Sequence, residues 1–476
     1  MHVKTDVFCS AGLTLPDKAG RIINVGGWAN PSTTGIRLYW PDGSPGVWGT
    51  NDWQENYEEV ALQAGRWYPS AMTMVNGSIL VVGGEEGSNG APVPSLEILP
   101  RPAGAGTLFC DYLNRTDPFN LYPYLLVLPS GGVFIAYYNE ARILDELSLQ
   151  TIRTLPNMPA AVNNFLGGRT YPMEGTAMVL PQHAPYTDPL TVIICGGSTP
   201  FAEVALDNCV SIQPEVPGAN WTIERMVCPL FSFLHYIRRN KTDVYKQPSK
   251  RVISSICALP DGTFLILNGA HAGFAGFGLA SDPNLNAVLY DPSLPVNSRM
   301  KVMANTTIAR MYHSEAVLVP DGRVLVTGSD PEDPRYPQEY RVEVFYPPYL
   351  LSGLKKPNFT LNSGNDFPYA SSFSISVELF QGTTATMRIS LMAAVSSTHG
   401  NSFGARTIFP AFTCGLNNTC IVQTPPNGHV SPPAWHQLFI LDGPTPSLGQ
   451  WVRIGGDPGE LGNWPDFPDF HPLPGI

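Results

Sequence analysis

The stretch ARMYHSEAVLVPDGRVLVTGS, residues 309–329, reads as a β-hairpin. One apolar run leads to Pro-Asp-Gly and a second leads away from it, which is a turn-plus-strand signature. Two side chains able to bind a metal, Tyr312 and His313, stand next to each other just before the first run. Successive strand residues point to opposite faces, so the pair cannot both be core. The hairpin sets the fold, and the Tyr-His pair sets the question of function.

The hairpin is one of a series. Residues 15–27 (LPDKAGRIINVGG), 74–84 (MVNGSILVVGG), 128–138 (LPSGGVFIAYY), 259–269 (LPDGTFLILNG) and 319–329 (VPDGRVLVTGS) share one plan, and 190–198 (LTVIICGGS) keeps its second half. Each is a Gly-containing turn, an apolar strand and then Gly or Gly-Gly. The spacing of about 50 to 70 residues is close to the kelch-type period. Tyr-Pro or Tyr-His precedes four of the turns, at Tyr68-Pro69, Tyr122-Pro123, Tyr171-Pro172 and Tyr312-His313. In a propeller such positions converge on one axis, although a packing aromatic at the rim explains any single one. Six kernels predict a β-propeller for which seven blades is the natural count, the last being degenerate or sharing strands with a preceding segment.

After EVFYPPYLLSGLKKPNFT (343–360) the rhythm stops. Alternation in SSFSISVELF (371–380) and TATMRISLMAA (384–394) predicts an antiparallel, Ig-like sandwich. The expected organisation is all-β: a kelch-like propeller over residues 1–350 and a sandwich over 351–476.

Composition agrees. Of 476 residues, 45 are Gly and 47 Pro, well above the roughly 12% combined share of an average protein. Charged residues make up only 14%, against roughly 25% on average. The net charge of −11 and the lack of any basic run argue against nucleic acid or an anionic membrane as partner. No apolar run reaches membrane-spanning length. The start, MHVKTDVFCSAG, lacks the apolar region of a signal peptide. Eight cysteines and Asn-x-Ser/Thr sequons at Asn76, Asn114, Asn220, Asn240, Asn305, Asn358 and Asn417 nevertheless point to a secreted glycoprotein whose leader is missing. Cys414 and Cys420 flank a short loop suited to a disulfide, and Cys195 could bridge to Cys209. With Cys9 set aside, Cys110, Cys228 and Cys257 remain, an odd number.

No HExxH, CxxC pair, P-loop, Rossmann fingerprint or GxSxG elbow is present, so any chemistry must be assembled in space. Four motifs then occur in order: DVFCSAG around Cys9, GRWYPSAMTMVNGSILVVGGEEGSNGAPVP around Tyr68, RMYHSEAVLVPDGRVLVTGSDP around Tyr312-His313, and SSTHGNSFGARTI around His399. With these motifs the chain resembles the copper radical oxidases, and among them glyoxal oxidase more than galactose oxidase. The resemblance implies one Cu2+ ligated by Tyr68, Tyr312, His313 and His399, with Tyr312 axial. It also implies a thioether between Cys9 and Tyr68 that carries a tyrosyl radical. Nitrogen and oxygen ligands in tetragonal array suit Cu(II), and an open position suits catalysis. His399 would come from the second domain on a loop that Gly400 and Gly404 allow to turn sharply.

The implied reaction oxidises a small aldehyde, such as glyoxal or methylglyoxal, to a carboxylic acid while O2 becomes hydrogen peroxide. Tyr312 is the implied base. Peroxidases are natural consumers of that peroxide, and the protein is expected to be a monomer. In galactose oxidase an indole stacks over the thioether; the corresponding stretch here, GGEEGSNGAP, carries Glu85 and Glu86 and no Trp. That departure favours an aldehyde over a sugar alcohol and leaves Trp28 and Trp67 as substitute shields. The alternatives are a primary-alcohol oxidase of the same family and a metal-free kelch-type binding propeller.

Overall fold

The computed structural model describes residues 3–43, 47–55, 60–160, 167–200, 204–226 and 250–456. Cys228 and the sequon at Asn240 lie outside the described residues. Among the described residues the chain is almost wholly β, with one six-residue α-helix at Asp111–Thr116.

Each predicted kernel forms the second strand of its own antiparallel sheet. The six sheets begin with Ala11–Thr14, Ser70–Thr73, Tyr124–Val127, Gly175–Val179, Ser255–Ala258 and Ser314–Leu318. Their second strands are Ile22–Val25, Ile79–Val82, Val133–Tyr137, Val192–Gly196, Phe264–Leu267 and Val324–Gly328. Four second strands are continuously apolar because both their faces are buried. Ile79 and Val81 enter a core shared with the first sheet, whereas Leu80 and Val82 enter a core shared with the third. Val192 and Ile194 pack on the third sheet while Ile193 and Cys195 pack on the fifth. Phe264 and Ile266 face the fourth sheet, and Leu265 and Leu267 face the sixth. Consecutive sheets are thus joined by a shared core at every step from the first to the sixth.

The series does not close in the same way. On the sixth sheet Val317, Leu325 and Val344 stand in one row across the three strands, and Val317 and Val344 are exposed. The hairpin of Ser396–Thr398 and Asn401–Phe403 occupies the inner end of this gap. Its first strand touches the innermost strands of the first and sixth sheets, and its second pairs in parallel with the fourth. Six sheets of this kind are present among the described residues.

Apart from a two-stranded ribbon of Ala270–Gly273 and Ala280–Pro283, the remaining described strands form two further sheets. One runs in the order Asn358–Leu361, Ser372–Glu378, Thr419–Gln423, Phe412–Cys414. The other is built on Arg388–Ala393, Ala434–Asp442 and Gln450–Ile454, and at one edge it accepts Gln182–His183 from the earlier part of the chain. Phe373, Ile375, Val377, Ile389, Leu391, Leu438 and Ile440 fill the space between them. The disulfides Cys195–Cys209 and Cys414–Cys420 form as expected, each across adjacent strands. Cys9, Cys110 and Cys257 are unpaired and buried.

Candidate metal centre

The site grows out of a repeated local device. A buried arginine stands two residues before Tyr68, Tyr171, Ile253 and Tyr312, namely Arg66, Arg169, Arg251 and Arg310. Each donates an Nη1 hydrogen bond of 2.7 Å to a backbone carbonyl at the end of its sheet's second strand: Gly83, Gly196, Asn268 and Gly328. Fully buried Arg66 also pairs with Glu97 at 2.8 Å. These bonds offset part of the cost of burying the guanidinium groups, although Arg169 Nε and Arg251 Nε stay without a hydrogen-bond partner. They also hold the turn that precedes each innermost strand. The signal was present in the sequence as Arg-x-Tyr in GRWYP, GRTYP and ARMYH.

That turn resolves the Tyr-His puzzle. The strand starts only at Ser314, so Tyr312 and His313 belong to the turn and the alternation rule does not apply to them. His313 has φ +62°, and its ring stacks on that of Tyr312 at 3.8 Å. Cys9, Tyr68, Tyr122 and His399 also adopt the left-handed region, at φ +57°, +59°, +51° and +50°. For residues with a Cβ this conformation is uncommon, and clustered instances mark functional sites.

All five sequence-predicted residues meet. The ligand atoms of Cys9, His313 and His399 lie within 4.8 Å of one another. The hydroxyls of Tyr68 and Tyr312 are 2.7 Å apart, and Tyr312 Oη is 3.3 Å from His399 Nε2. Cys9 Sγ is 3.9 Å from the same Nε2, and the Tyr68 backbone N–H donates to the Cys9 carbonyl at 3.0 Å. Burial lowers the His313 imidazole to about 4. Burial, and then the neighbouring His313, holds His399 well below its ordinary value. Both rings are therefore neutral, which is the ligand form. His313 Nε2 is buried without a hydrogen-bond partner. Burial pushes the Cys9 thiol up to about 12, and it also raises both phenols far above their ordinary value. Such phenols ionise only beside a cation. An orphaned imidazole nitrogen, a second neutral imidazole and two facing phenols form a donor set that fits copper.

The surrounding side chains are aromatic. Tyr171 stacks on Tyr68 at 4.3 Å, with their hydroxyls 3.3 Å apart. Tyr122 stacks on His399 at 4.8 Å. The sequence offered both tyrosines as rim aromatics; the structure brings both into the site. Phe277 meets Tyr312 and His313 edge-on and stacks on Phe8 at 6.2 Å, a pair that sequence reasoning did not single out. Of the two candidate indoles, the Trp67 ring lies 4.0 Å from that of Tyr68, whereas Trp28 is exposed. Burial and the nearby Asp117 raise Glu85 to about 7.

Comparison with known proteins bears on this centre. Residues 1–349 match the family described as glyoxal oxidase N-terminus, and residues 356–454 match the galactose oxidase-like, Early set domain. A WSC domain-containing protein of Arthroderma benhamiae is 63% identical over the whole chain, which spans 48% of that relative's length. The aldehyde oxidase GLOX of Vitis pseudoreticulata is 30% identical, with 95% of this chain and 83% of that protein covered. Among solved structures, a copper-complexed fungal alcohol oxidase of the AA5 family aligns with a TM-score of 0.71 at 17% identity, covering 95% of this chain and 86% of that one. The chain belongs to the copper radical oxidase family, the group that includes glyoxal oxidase and galactose oxidase.

Proposed function

We propose that the protein oxidises small aldehydes such as glyoxal and methylglyoxal to carboxylic acids and reduces O2 to hydrogen peroxide. The observation that carries this reading is the convergence of Cys9, Tyr68, Tyr312, His313 and His399, distant in sequence, on one buried shell with a partnerless imidazole nitrogen. The aldehyde reacts as its hydrate, RCH(OH)2, so that RCH(OH)2 and O2 give RCOOH and H2O2.

In this reading His313, His399, Tyr68 and Tyr312 hold one copper ion. A two-electron oxidation requires two one-electron stores: a Tyr68 cross-linked to Cys9 would supply one, and copper held there would supply the other. Tyr312 takes the hydrate's hydroxyl proton at its Oη, and the 2.7 Å approach to Tyr68 keeps that oxygen beside the reacting centre. Phe8, Phe277, Tyr122 and Tyr171 surround the centre with aromatic rings. The choice of aldehyde is supported by the absence of Trp from residues 83–92 and by the similarity to a plant aldehyde oxidase.

The finer architecture is part of the same reading: a seven-bladed kelch-like propeller over 1–350 and an Ig-like sandwich over 351–476. Five consecutive shared cores and the apolar row Val317, Leu325 and Val344 at the open end support it. Two disulfides support secretion. Among the described residues no helix is long and apolar enough to cross a membrane. Glycosylation at described sequons, a monomeric state and consumption of the peroxide by peroxidases complete the proposal.

The test is a substrate panel with peroxide detection on the copper-loaded protein. Methylglyoxal or glyoxal should exceed galactose, with acid and peroxide in equal amounts; a preference for galactose moves the protein to the alcohol-oxidising branch. Copper should be close to one per chain and be lost in the His313→Ala/His399→Ala double variant. After copper and O2 treatment, the peptides holding Cys9 and Tyr68 should travel together under reducing conditions. Separate peptides would remove the radical mechanism, and no copper would leave a metal-free binding propeller.

A further inference from the structure

We propose that Glu315 is a positioning residue for the metal centre, tying the tip of the 396–403 hairpin to the strand that starts beside His313. The inference rests on the copper reading of the site and extends it to a residue that touches neither metal nor substrate.

Glu315 lies two positions after His313, in the strand Ser314–Leu318. Its Oε2 accepts the Ser397 hydroxyl hydrogen bond at 2.6 Å, and its Oε1 accepts the Gly400 backbone N–H at 3.1 Å. The two donors bracket His399, so one carboxylate holds both shoulders of the turn that presents the imidazole. The turn needs holding. His399 and Gly400 both have positive φ, +50° and +68°, a backbone state in which a residue with a Cβ persists only when its surroundings enforce it.

Other side chains each hold one point of the tip. Thr176 Oγ1 donates to the Gly400 carbonyl at 2.7 Å. The Asn401 side-chain amide reaches Ser70 Oγ at 3.4 Å and the Tyr122 and Pro123 carbonyls at 3.3 Å. His399 Nδ1 lies 2.8 Å from Thr398 Oγ1, so the ring is oriented by its own neighbour while the backbone is set from outside. Among the described residues, Glu315 is the side chain that accepts hydrogen bonds from both shoulders of this tip. One side chain therefore couples the element carrying His313 to the element carrying His399. The separation of the two imidazoles, 5.0 Å between ring centroids, is set by that coupling.

The test uses the full chain with Glu315→Ala and Glu315→Gln. In metal-free protein, amide hydrogen exchange across 396–403 should quicken about ten-fold in Glu315→Ala and distinctly less in Glu315→Gln, which keeps an acceptor. On titration with Cu2+, affinity should fall about 10–100-fold in Glu315→Ala. The electron paramagnetic resonance spectrum of that variant should lose splitting from one of two nitrogens, with partial rescue in Glu315→Gln. Wild-type exchange across the hairpin in Glu315→Ala, or wild-type affinity and nitrogen splitting, overturns the proposal. If Glu315→Ala does not fold, Ser397→Ala removes the shorter bond alone; exchange should quicken about five-fold, and unchanged exchange overturns the proposal. A wild-type protein that binds no Cu2+ defeats the copper reading, and exchange in metal-free protein then still decides whether Glu315 holds the hairpin.

Discussion

His313 and His399 arrive at one point by different routes. His313 sits in a turn that its own sheet repeats: a buried arginine two or three residues upstream bonds to the end of the second strand, and the innermost strand follows at once. His399 sits at the tip of a hairpin whose neighbours along the chain build a different pair of sheets, and it is held by the Thr176, Glu315 and Ser70 side chains and the Tyr122 carbonyl, all distant from it in sequence. The first histidine is positioned by local sequence in a repeated frame. The second is positioned by the surface that receives it, so its placement is the more sensitive to any change at the contact.

Tyr312→Phe should have the largest effect, because it separates two roles within one turn. Copper content should persist while kcat/KM for methylglyoxal falls about 10²–10⁴-fold, the usual cost of a lost general base. An active Tyr312→Phe protein would leave the turn with a ligand role only. Next comes the repeated frame itself. Arg66→Met strands Glu97 in a fully buried position, at a cost of about 3–5 kcal/mol in folding. Chemical denaturation should show it, and a variant of near wild-type stability would mean that the frame does not hold the turns.

The sheets that supply the hairpin have a pH dependence of their own. His436 is wholly buried, and burial lowers it to about 4. It remains neutral in the folded protein while the unfolded chain binds a proton below about 6.5. The stability it contributes is complete above that value and is lost as the pH falls towards 4. The loss amounts to about 3 kcal/mol, and it should disappear from the pH profile of His436→Gln. An identical profile in that variant would place the acid sensitivity elsewhere.

The smallest effect sharpens the comparison most directly. A Cβ on Gly400 would lie 2.3 Å from the Gly175 carbonyl oxygen at φ +68°, and one on Gly328 would lie 2.3 Å from the His313 carbonyl oxygen at φ +74°. Gly400→Ala should reduce Cu2+ affinity about 10–100-fold with little change in Tm, because it displaces only the hairpin. Gly328→Ala should reduce affinity and Tm together, because it disturbs a sheet that also supports its neighbours. Equal behaviour of the two variants would erase the distinction between the two routes.

Much of this was legible in the sequence. The six kernels marked the six second strands because a strand buried on both faces must be apolar throughout, and Gly-containing turns must flank it. Cys195 with Cys209 and Cys414 with Cys420 were readable from spacing. Cys9, Tyr68, Tyr312, His313 and His399 were identifiable as an ordered set of motifs, since each motif holds its residue in a recognisable local context. The Arg-x-Tyr repeat was also in plain view, although its meaning depends on a carbonyl that lies 17 to 27 residues further along.

Tertiary structure alone decided the rest, and for one reason: the remaining contacts join residues with no local constraint in common. Tyr171 and Tyr122 look like any other aromatic before a strand until the convergence of innermost strands brings one over Tyr68 and the other over His399. Phe8 and Phe277 meet although 269 positions separate them. Glu315 reads as an ordinary polar residue in a strand, and only the arrival of the hairpin gives its carboxylate two donors. Local sequence could therefore single out the residues proposed to carry the chemistry. Which residues hold them in place depended on hydrogen bonds and ring contacts that form only when distant segments of the folded chain come within a few ångströms.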